Sequence, residues 1–322
     1  MLGLELSMSE TTVSDLAKYW LRIFLPLLFG MLAGHLLFNV RIWINTDEQL
    51  NCSETNASKN RFRPTAVRKP RIFCYINTFP ENYNTKAIHV QNTWARRCDG
   101  FYFTSTVSHP NLSVLVLNLT VPEVRSHLWV KMRKILREVY HVADDYDYFY
   151  KADDDTYAFV PNLRQFLAAQ DEPSEPVMWG YRWMRLCPGG YFSGGAGYVL
   201  TREALKRIVE RAIDRHPDCP TTDEDKEDVK MCLCGQAVGV RLEDGRLKNG
   251  IDLFYPYSIL SSAKTMAQKN MKSLYFGFGG LGPERSVLDF DPSHISFHYT
   301  ESHEMYIFEF LAYYLRPFEF VI

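Results

Sequence analysis

From Arg71 to Asp155 the chain alternates short apolar runs with amphipathic ones, and this alternation limits the fold more than any other feature. "RIFCYINT" reads as a strand. In "NTKAIHVQNTWARRC", Ala87, Val90 and Trp94 fall on one helical face. "GFYFTST" and "LSVLVLNL" read as strands. "HLWVKMRKILREVYHV" is amphipathic, with Leu128, Met132, Ile135, Leu136 and Val139 on one side. The strand "DYFYKADDD" closes the series. Strand, helix, strand, strand, helix, strand predicts an α/β fold with a mostly parallel central sheet flanked by helices. In such sheets ligands bind beyond the carboxyl ends of the strands.

The remainder fits the same class. "VPNLRQFLAAQ" reads as a helix and "VMWGYRW" as a strand with a turn. "GGYFSGGAGYVLTREALKRIVERAI" reads as a glycine-rich loop, a short strand and a helix capped by Thr201. With 322 residues, 46% of them apolar, the chain can bury a substantial core in one large domain or two small ones. A net charge of −2 excludes electrostatic capture of nucleic acid. Aromatic residues make up 14%, which suits a carbohydrate or nucleotide pocket and a well-packed core equally.

Between Arg22 and Arg41 lies "IFLPLLFGMLAGHLLFNV", 18 residues without Asp, Glu, Lys or Arg. Tyr19, Trp20, Trp43 and Ile44 extend it to the length of a membrane span. A cleaved signal peptide would need a small-residue cleavage site, and "NVRIWIN" is a poor one. The expectation is an uncleaved signal anchor with the N-terminus in the cytoplasm, since Lys18 and Arg22 precede the span and Asp47 and Glu48 follow it. All seven cysteines follow the span, as do four N-x-Ser/Thr sequons at Asn51, Asn56, Asn111 and Asn118. Both favour an oxidising lumen. The expected organisation is a cytoplasmic tail (1–22), a transmembrane anchor (23–44), a polar lumenal stem (45–70) and a folded domain (71–322).

Four segments carry candidate chemistry. Asp153, Asp154 and Asp155 crowd three carboxylates at the end of an aromatic strand, which a cation, a proton or water must offset. Closely spaced carboxylates suit Mn²⁺ or Mg²⁺, which can bridge a nucleotide diphosphate; an acidic helix-capping turn is the alternative. "YFSGGAGYVLT" contains glycines that let backbone approach a ligand, or that simply make a tight turn. In "DEDKEDVKMCLC" most acids read as solvated, but Asp228 leads into an apolar turn and suits a general base. His298 lies between Phe297 and Tyr299, as a metal ligand or as a core histidine with one hydrogen bond.

In this order, "HVQNTWARRC", "YKADDDTYAFVPNLRQFL", "GGYFSGGAGYVLTREALKRIV", "KEDVKMCLC" and "SFHYTESHEMYIFEFLAYYLRPF" resemble the β-1,3-glycosyltransferase family that includes the fringe enzymes. The match is closest to those members that extend O-linked GalNAc. The resemblance implies a single-pass type II enzyme of the Golgi or endoplasmic reticulum membrane with a GT-A fold. Its donor would be UDP-galactose, its cofactor Mn²⁺, and its acceptor the 3-hydroxyl of GalNAc on Ser or Thr of glycoproteins, with inversion. Asp153, Asp154 and Asp155 match the family's metal and UDP motif, with Asp155 the direct ligand and His298 the second. Asp228 matches the catalytic base. Gly194 and Gly195 match part of the donor-sugar pocket, and Trp94 and Arg97 a motif near the nucleotide. Cys74 with Cys98 and Cys219 with Cys234 match family disulfides. The pairing of Cys52, Cys187 and Cys232 stays open, as does a homodimer. The family's Trp-, Tyr- and Cys-bearing stretch before the "SFHY" strand is replaced over residues 272–294, a region with no Trp and no Cys. This leaves two other readings, a relative with another donor or acceptor and a non-catalytic chaperone-like paralogue. Intact Asp153, Asp155, Asp228 and His298 argue against the latter.

Overall fold

The computed structural model describes residues 69–170, 173–184, 186–260 and 291–315. They belong to a compact unit spanning Thr65–Ile322. The expected tail and anchor, the stem up to residue 68, Cys52, and the sequons at Asn51 and Asn56 lie outside the described residues, as do residues 272–290 of the divergent region. Among the described residues no helix is long and apolar enough to cross a membrane. Asn111 and Asn118 are exposed.

The strands are β1 (Ile72–Asn77), β2 (Gly100–Ser105), β3 (Val114–Val116), β4 (Tyr148–Asp153), β5 (Tyr157–Ala158), β6 (Val177–Gly180), β7 (Arg182–Trp183), β8 (Tyr191–Phe192), β9 (Tyr198–Thr201), β10 (Arg241–Asp244), β11 (Phe254–Tyr255) and β12 (Ser296–Phe297). The α-helices are α1 (Ile88–Asn92), α2 (Leu128–Tyr140), α3 (Val160–Ala168), α4 (Arg202–Arg207), α5 (Glu227–Ala237) and α6 (Ser302–Tyr313). Seven strands form the main sheet in the order β10-β6-β9-β4-β1-β2-β3. Its pairings are parallel except on the two sides of β9, which runs antiparallel to β4 and β6. The mostly parallel α/β sheet read from the sequence is the one observed.

Side chains of a strand alternate between faces, and here both faces are covered. Ile72, Cys74 and Ile76 of β1 and Tyr148, Tyr150 and Ala152 of β4 enter one core. Phe73, Tyr75 and Phe149 enter the other, against Met132, Ile135 and Leu136 of α2 and Met231 and Cys232 of α5. Lys151 and Asp153 share the face of Phe149, so β4 carries charge into this second layer.

The sequence differs from the structure in detail. The single helix expected around Ala87, Val90 and Trp94 is divided into a π-turn, α1 and a 3₁₀ turn. Thr93 leaves helical geometry (φ −108°, ψ −98°) and its hydroxyl donates back to the His89 carbonyl at 2.7 Å, competing with the backbone. The strand read through "LSVLVLNL" is only three residues long. On α2, Trp129 and Lys131 turn inward with Met132, whereas Leu128 is only part-buried. Thr201 caps α4 as expected, accepting from the Ala204 N–H at 3.1 Å. The disulfides Cys74–Cys98 and Cys219–Cys234 both form, while Cys187 and Cys232 are free thiols.

Candidate active site

β4 ends at Asp153, and the next three residues, Asp154, Asp155 and Thr156, lead into β5. β5 pairs antiparallel with β12, setting Phe297 opposite Tyr157. The Thr300 N–H also donates to the Asp155 carbonyl at 2.9 Å. This small second sheet brings His298, more than a hundred residues away in sequence, to the acid turn. His298 Nε2 lies 3.3 Å from Asp155 Oδ1. One ligand atom from each of Asp153, Asp155 and His298 falls within 4.8 Å of the others. Two carboxylates and an imidazole suit a divalent cation such as Mn²⁺. Burial opposes the charge on Asp155, but His298 and Lys86 outweigh it and hold this carboxyl well below its usual range. Lys86 Nζ is 3.0 Å from Asp155 Oδ2.

Asp154 has a different role from its neighbours. Its Oδ2 accepts from Thr78 Oγ1 at 2.7 Å and from Asn82 Nδ2 at 2.9 Å. Burial pushes its pKa up to about 6 in spite of these bonds. It anchors the turn to the end of β1. Its wall also borders the cavity.

Opposite the acid turn stands the N-terminus of α5. Asp228, in its first turn, accepts from the Gly194 N–H at 3.3 Å. Burial raises its pKa, while the Gly194 N–H and the Lys151 ammonium oppose the rise. Between the two carboxylate groups runs the glycine loop after β8. A Cβ on Gly194 would lie 2.5 Å from Glu227 Oε1, and one on Gly195 would fall within the His298 imidazole. Thr156 Oγ1 donates to the Gly195 carbonyl at 2.7 Å, tying the loop to the acid turn. Glycine is required at both places because no side chain fits.

These groups line one cavity of about 720 Å³, which also exposes Trp183, Tyr191, Tyr257 and Tyr299. It contains Asp153, Asp154, Asp155, Gly194, Gly195, Asp228 and His298, seven of the nine residues singled out from the sequence. Trp94 and Arg97 do not line it. Trp94 is fully buried and donates from Nε1 to the Thr156 carbonyl at 2.8 Å. Arg97 is engaged by Glu309, at 2.9 Å from Nη1, and Glu309 also accepts from the Tyr157 hydroxyl at 3.2 Å. Both reach the site only through residues that they hold, Trp94 through Thr156 and Arg97 through Glu309 and Tyr157.

Sequence reasoning passed over three residues. Lys151 is buried and bonds Asp153 Oδ1 at 2.8 Å and Glu227 Oε1 at 2.9 Å. Glu227, read as solvated, is 3% exposed, and burial pushes its pKa up to about 7 despite Lys151. Lys86 pairs with the acid turn. The available signal was "YFYKAD" itself: a lysine two residues before an aspartate in an apolar strand must be buried with a partner.

No family model matches the chain. It is 35% identical over 252 residues to the glycoprotein-N-acetylgalactosamine 3-β-galactosyltransferase 1 of Xenopus laevis, covering 77% of this chain and 68% of that one. It is 30% identical to human chondroitin sulfate synthase 3 over 56% of this chain and 22% of that one. Among solved structures, the Pyrobaculum calidifontis mannosyltransferase in complex with GDP-Man and Mn²⁺ overlaps weakly, with TM-score 0.35 and 15% identity over 67% of this chain and 64% of that one. The class indicated by the sequence relatives is that of the glycosyltransferases. Within it, the chain belongs to the family of the glycoprotein-N-acetylgalactosamine 3-β-galactosyltransferases, among the β-1,3-glycosyltransferases.

Proposed function

We propose that this chain transfers galactose from UDP-galactose, with inversion, to the 3-hydroxyl of GalNAc linked to Ser or Thr of glycoproteins. We also infer a GT-A domain held in the Golgi or endoplasmic reticulum lumen by an anchor over residues 23–44. The observation that carries the reading is the meeting of two carboxylate groups across the Gly194–Gly195 loop in one cavity. One group, Asp153 and Asp155 with His298, is a donor set for Mn²⁺. Bound there, the ion would neutralise the diphosphate of the donor. The other, Asp228, is a part-buried carboxylate whose pKa desolvation raises, as suits a general base.

The chemistry is a single displacement. Asp228 takes the proton of the acceptor hydroxyl, whose oxygen attacks the anomeric carbon of galactose. The bond from that carbon to the diphosphate breaks on the opposite face, and UDP leaves with the electron pair. The glycine loop allows the donor sugar to lie against backbone. Trp183, Tyr257 and Tyr299 provide apolar faces of the kind sugars pack on.

The test is to incubate the full-length chain in detergent with Mn²⁺, UDP-galactose and a GalNAc-α-Thr peptide. Gain of one β-1,3-linked hexose is the expected product. UDP binding without transfer to this acceptor would refute the acceptor assignment, and failure to bind UDP with Mn²⁺ would refute the enzymatic reading. For the topology, microsomes bearing the chain should protect the glycosylated domain from added protease. Digestion of that domain in intact microsomes would overturn the lumenal placement.

A further inference from the structure

We propose that Lys151 is a positioning residue that fixes both the orientation and the charge of Asp228, through Gly194. The side chain of Lys151 is 1% exposed. Its ammonium donates to the Gly194 carbonyl at 3.0 Å, to Asp153 Oδ1 at 2.8 Å and to Glu227 Oε1 at 2.9 Å. An ammonium has three protons, so all three donors are used. The same Gly194 whose carbonyl Lys151 holds donates its N–H to Asp228 Oδ2. One peptide residue therefore links the buried lysine to the carboxylate, and Glu227 links the lysine to the start of the same helix. Close packing fixes the arrangement, since a Cβ on Gly194 would lie 2.5 Å from Glu227 Oε1, 3.1 Å from Lys151 Nζ and 3.5 Å from Asp228 Cβ.

The consequence for Asp228 is electrostatic as well as geometric. The charged or titratable groups that influence it are Lys151 and Asp153 of β4, Glu227 and Cys232 of α5, and Cys187 of the loop before β8. Lys151 is the cation among these; Lys86, Arg125, Lys226 and His298 line the cavity. Without it Asp228 would share a buried region with two other carboxylates and would hold its proton to higher pH. A base that is protonated cannot accept the acceptor's proton. Lys151 thus keeps Asp228 both aimed and ionised.

The inference uses the reading of Asp228 as base only for its effect on rate, so the experiment has two separate readouts. In protein carrying ¹³C at the aspartate carboxyls, the Asp228 resonance is assigned by its loss in Asp228→Asn and titrated by NMR. Lys151→Met should raise its midpoint by about one pH unit. In parallel, the acid limb of the transfer rate should rise with it, giving a roughly tenfold loss at pH values below the limb that higher pH recovers. Because Lys151→Met leaves Glu227 uncompensated, Lys151→Met/Glu227→Gln provides a version with a neutral pair; a smaller upward shift is expected there, since the Glu227 charge that opposes ionisation of Asp228 is removed with the lysine that favours it. An unmoved Asp228 midpoint in the variants would overturn the proposal. So would a rate loss that is equal at all pH values. If instead Asp228→Asn transfers sugar at the normal rate, the base reading fails, while the NMR midpoint still decides the role of Lys151.

Discussion

Gly195→Ala should damage the metal arm of the site without replacing a ligand. The added methyl would fall within the imidazole of His298, against Cε1, Nε2 and Nδ1. The loop cannot easily yield, since the Gly195 carbonyl is held by Thr156 Oγ1 at 2.7 Å. The ring stacks on Tyr299 with centroids 3.7 Å apart, and the His298 backbone is held by its N–H donating to the Tyr255 carbonyl at 3.1 Å. To regain ordinary contact the imidazole must retreat by about 1.5 Å. A displacement of that size at a reacting centre costs about 100-fold in rate, or about 2.7 kcal/mol. Overpacking should add about 1–3 kcal/mol of destabilisation, seen as a lowered Tm. Calorimetric titration of UDP in the presence of Mn²⁺ gives the direct reading, alongside the transfer rate. His298→Ala should lose affinity to a similar degree. The double variant should be no worse than His298→Ala, because the methyl then has nothing to strike. Gly195→Ala with near-normal UDP affinity and rate would refute the reasoning.

Asp155→Ala should abolish Mn²⁺-dependent UDP binding, which the same titration reads. Lys86→Met should tighten binding of Mn²⁺ alone by roughly three- to tenfold, since Lys86 competes for Asp155 at 3.0 Å; manganese EPR would show it. Cys74→Ala/Cys98→Ala, opening a loop with sequence separation 24, should cost about 3 kcal/mol in chemical denaturation. Folding raises the pKa of Asp154 to about 6, so the native state binds its proton more tightly than the unfolded chain does. That contribution is fully present at pH values below the ordinary carboxylate range and is lost as pH rises through about 6, to a limit of about 3 kcal/mol. In metal-free protein, Asp154→Asn should therefore gain Tm on the wild type between about pH 4 and pH 7, and parallel curves would contradict the assignment.

The sheet was legible because its signal is local. β1 and β4 are short, nearly continuous apolar runs, as strands covered on both faces must be, and the acid turn falls at a strand end by sequence order alone. Family resemblance supplied the rest of the catalytic set, including the two disulfides and the pairing of His298 with Asp155. The position of His298 was not readable from spacing, because a two-residue strand pairing between β5 and β12 creates it. Glu227 was misread for a related reason. Its neighbours Asp223, Glu224, Asp225 and Lys226 make a charge run that reads as solvent-facing, and only the helical phase of α5 separates a buried member from an exposed one. Trp94 and Arg97 were assigned by motif to the nucleotide. The motif placed them there as supporting residues; in the structure Trp94 holds the Thr156 carbonyl, and Arg97 holds Glu309, which accepts from the Tyr157 hydroxyl.

The two lysines missed from the sequence show how the site divides its charge. Six carboxylates line the cavity (Asp153, Asp154, Asp155, Asp225, Glu227 and Asp228), with Lys86, Arg125 and Lys226 at its wall and Lys151 buried behind it. The side chain of Lys86 is 38% exposed and faces Asp155 at the cavity wall. It can swing into water at little cost, since an exposed ion pair contributes little and its head stays hydrated when it moves. The side chain of Lys151 is 1% exposed and spends all three protons inside. Removing it would strand buried carboxylates, which is far more costly. The ligand-facing carboxylates are thus balanced by a cation that can yield to a metal, and the carboxylates beneath the base by one that cannot. Under the proposed function, this asymmetry would let a metal–nucleotide pair bind and leave each cycle while Asp228 stays in place.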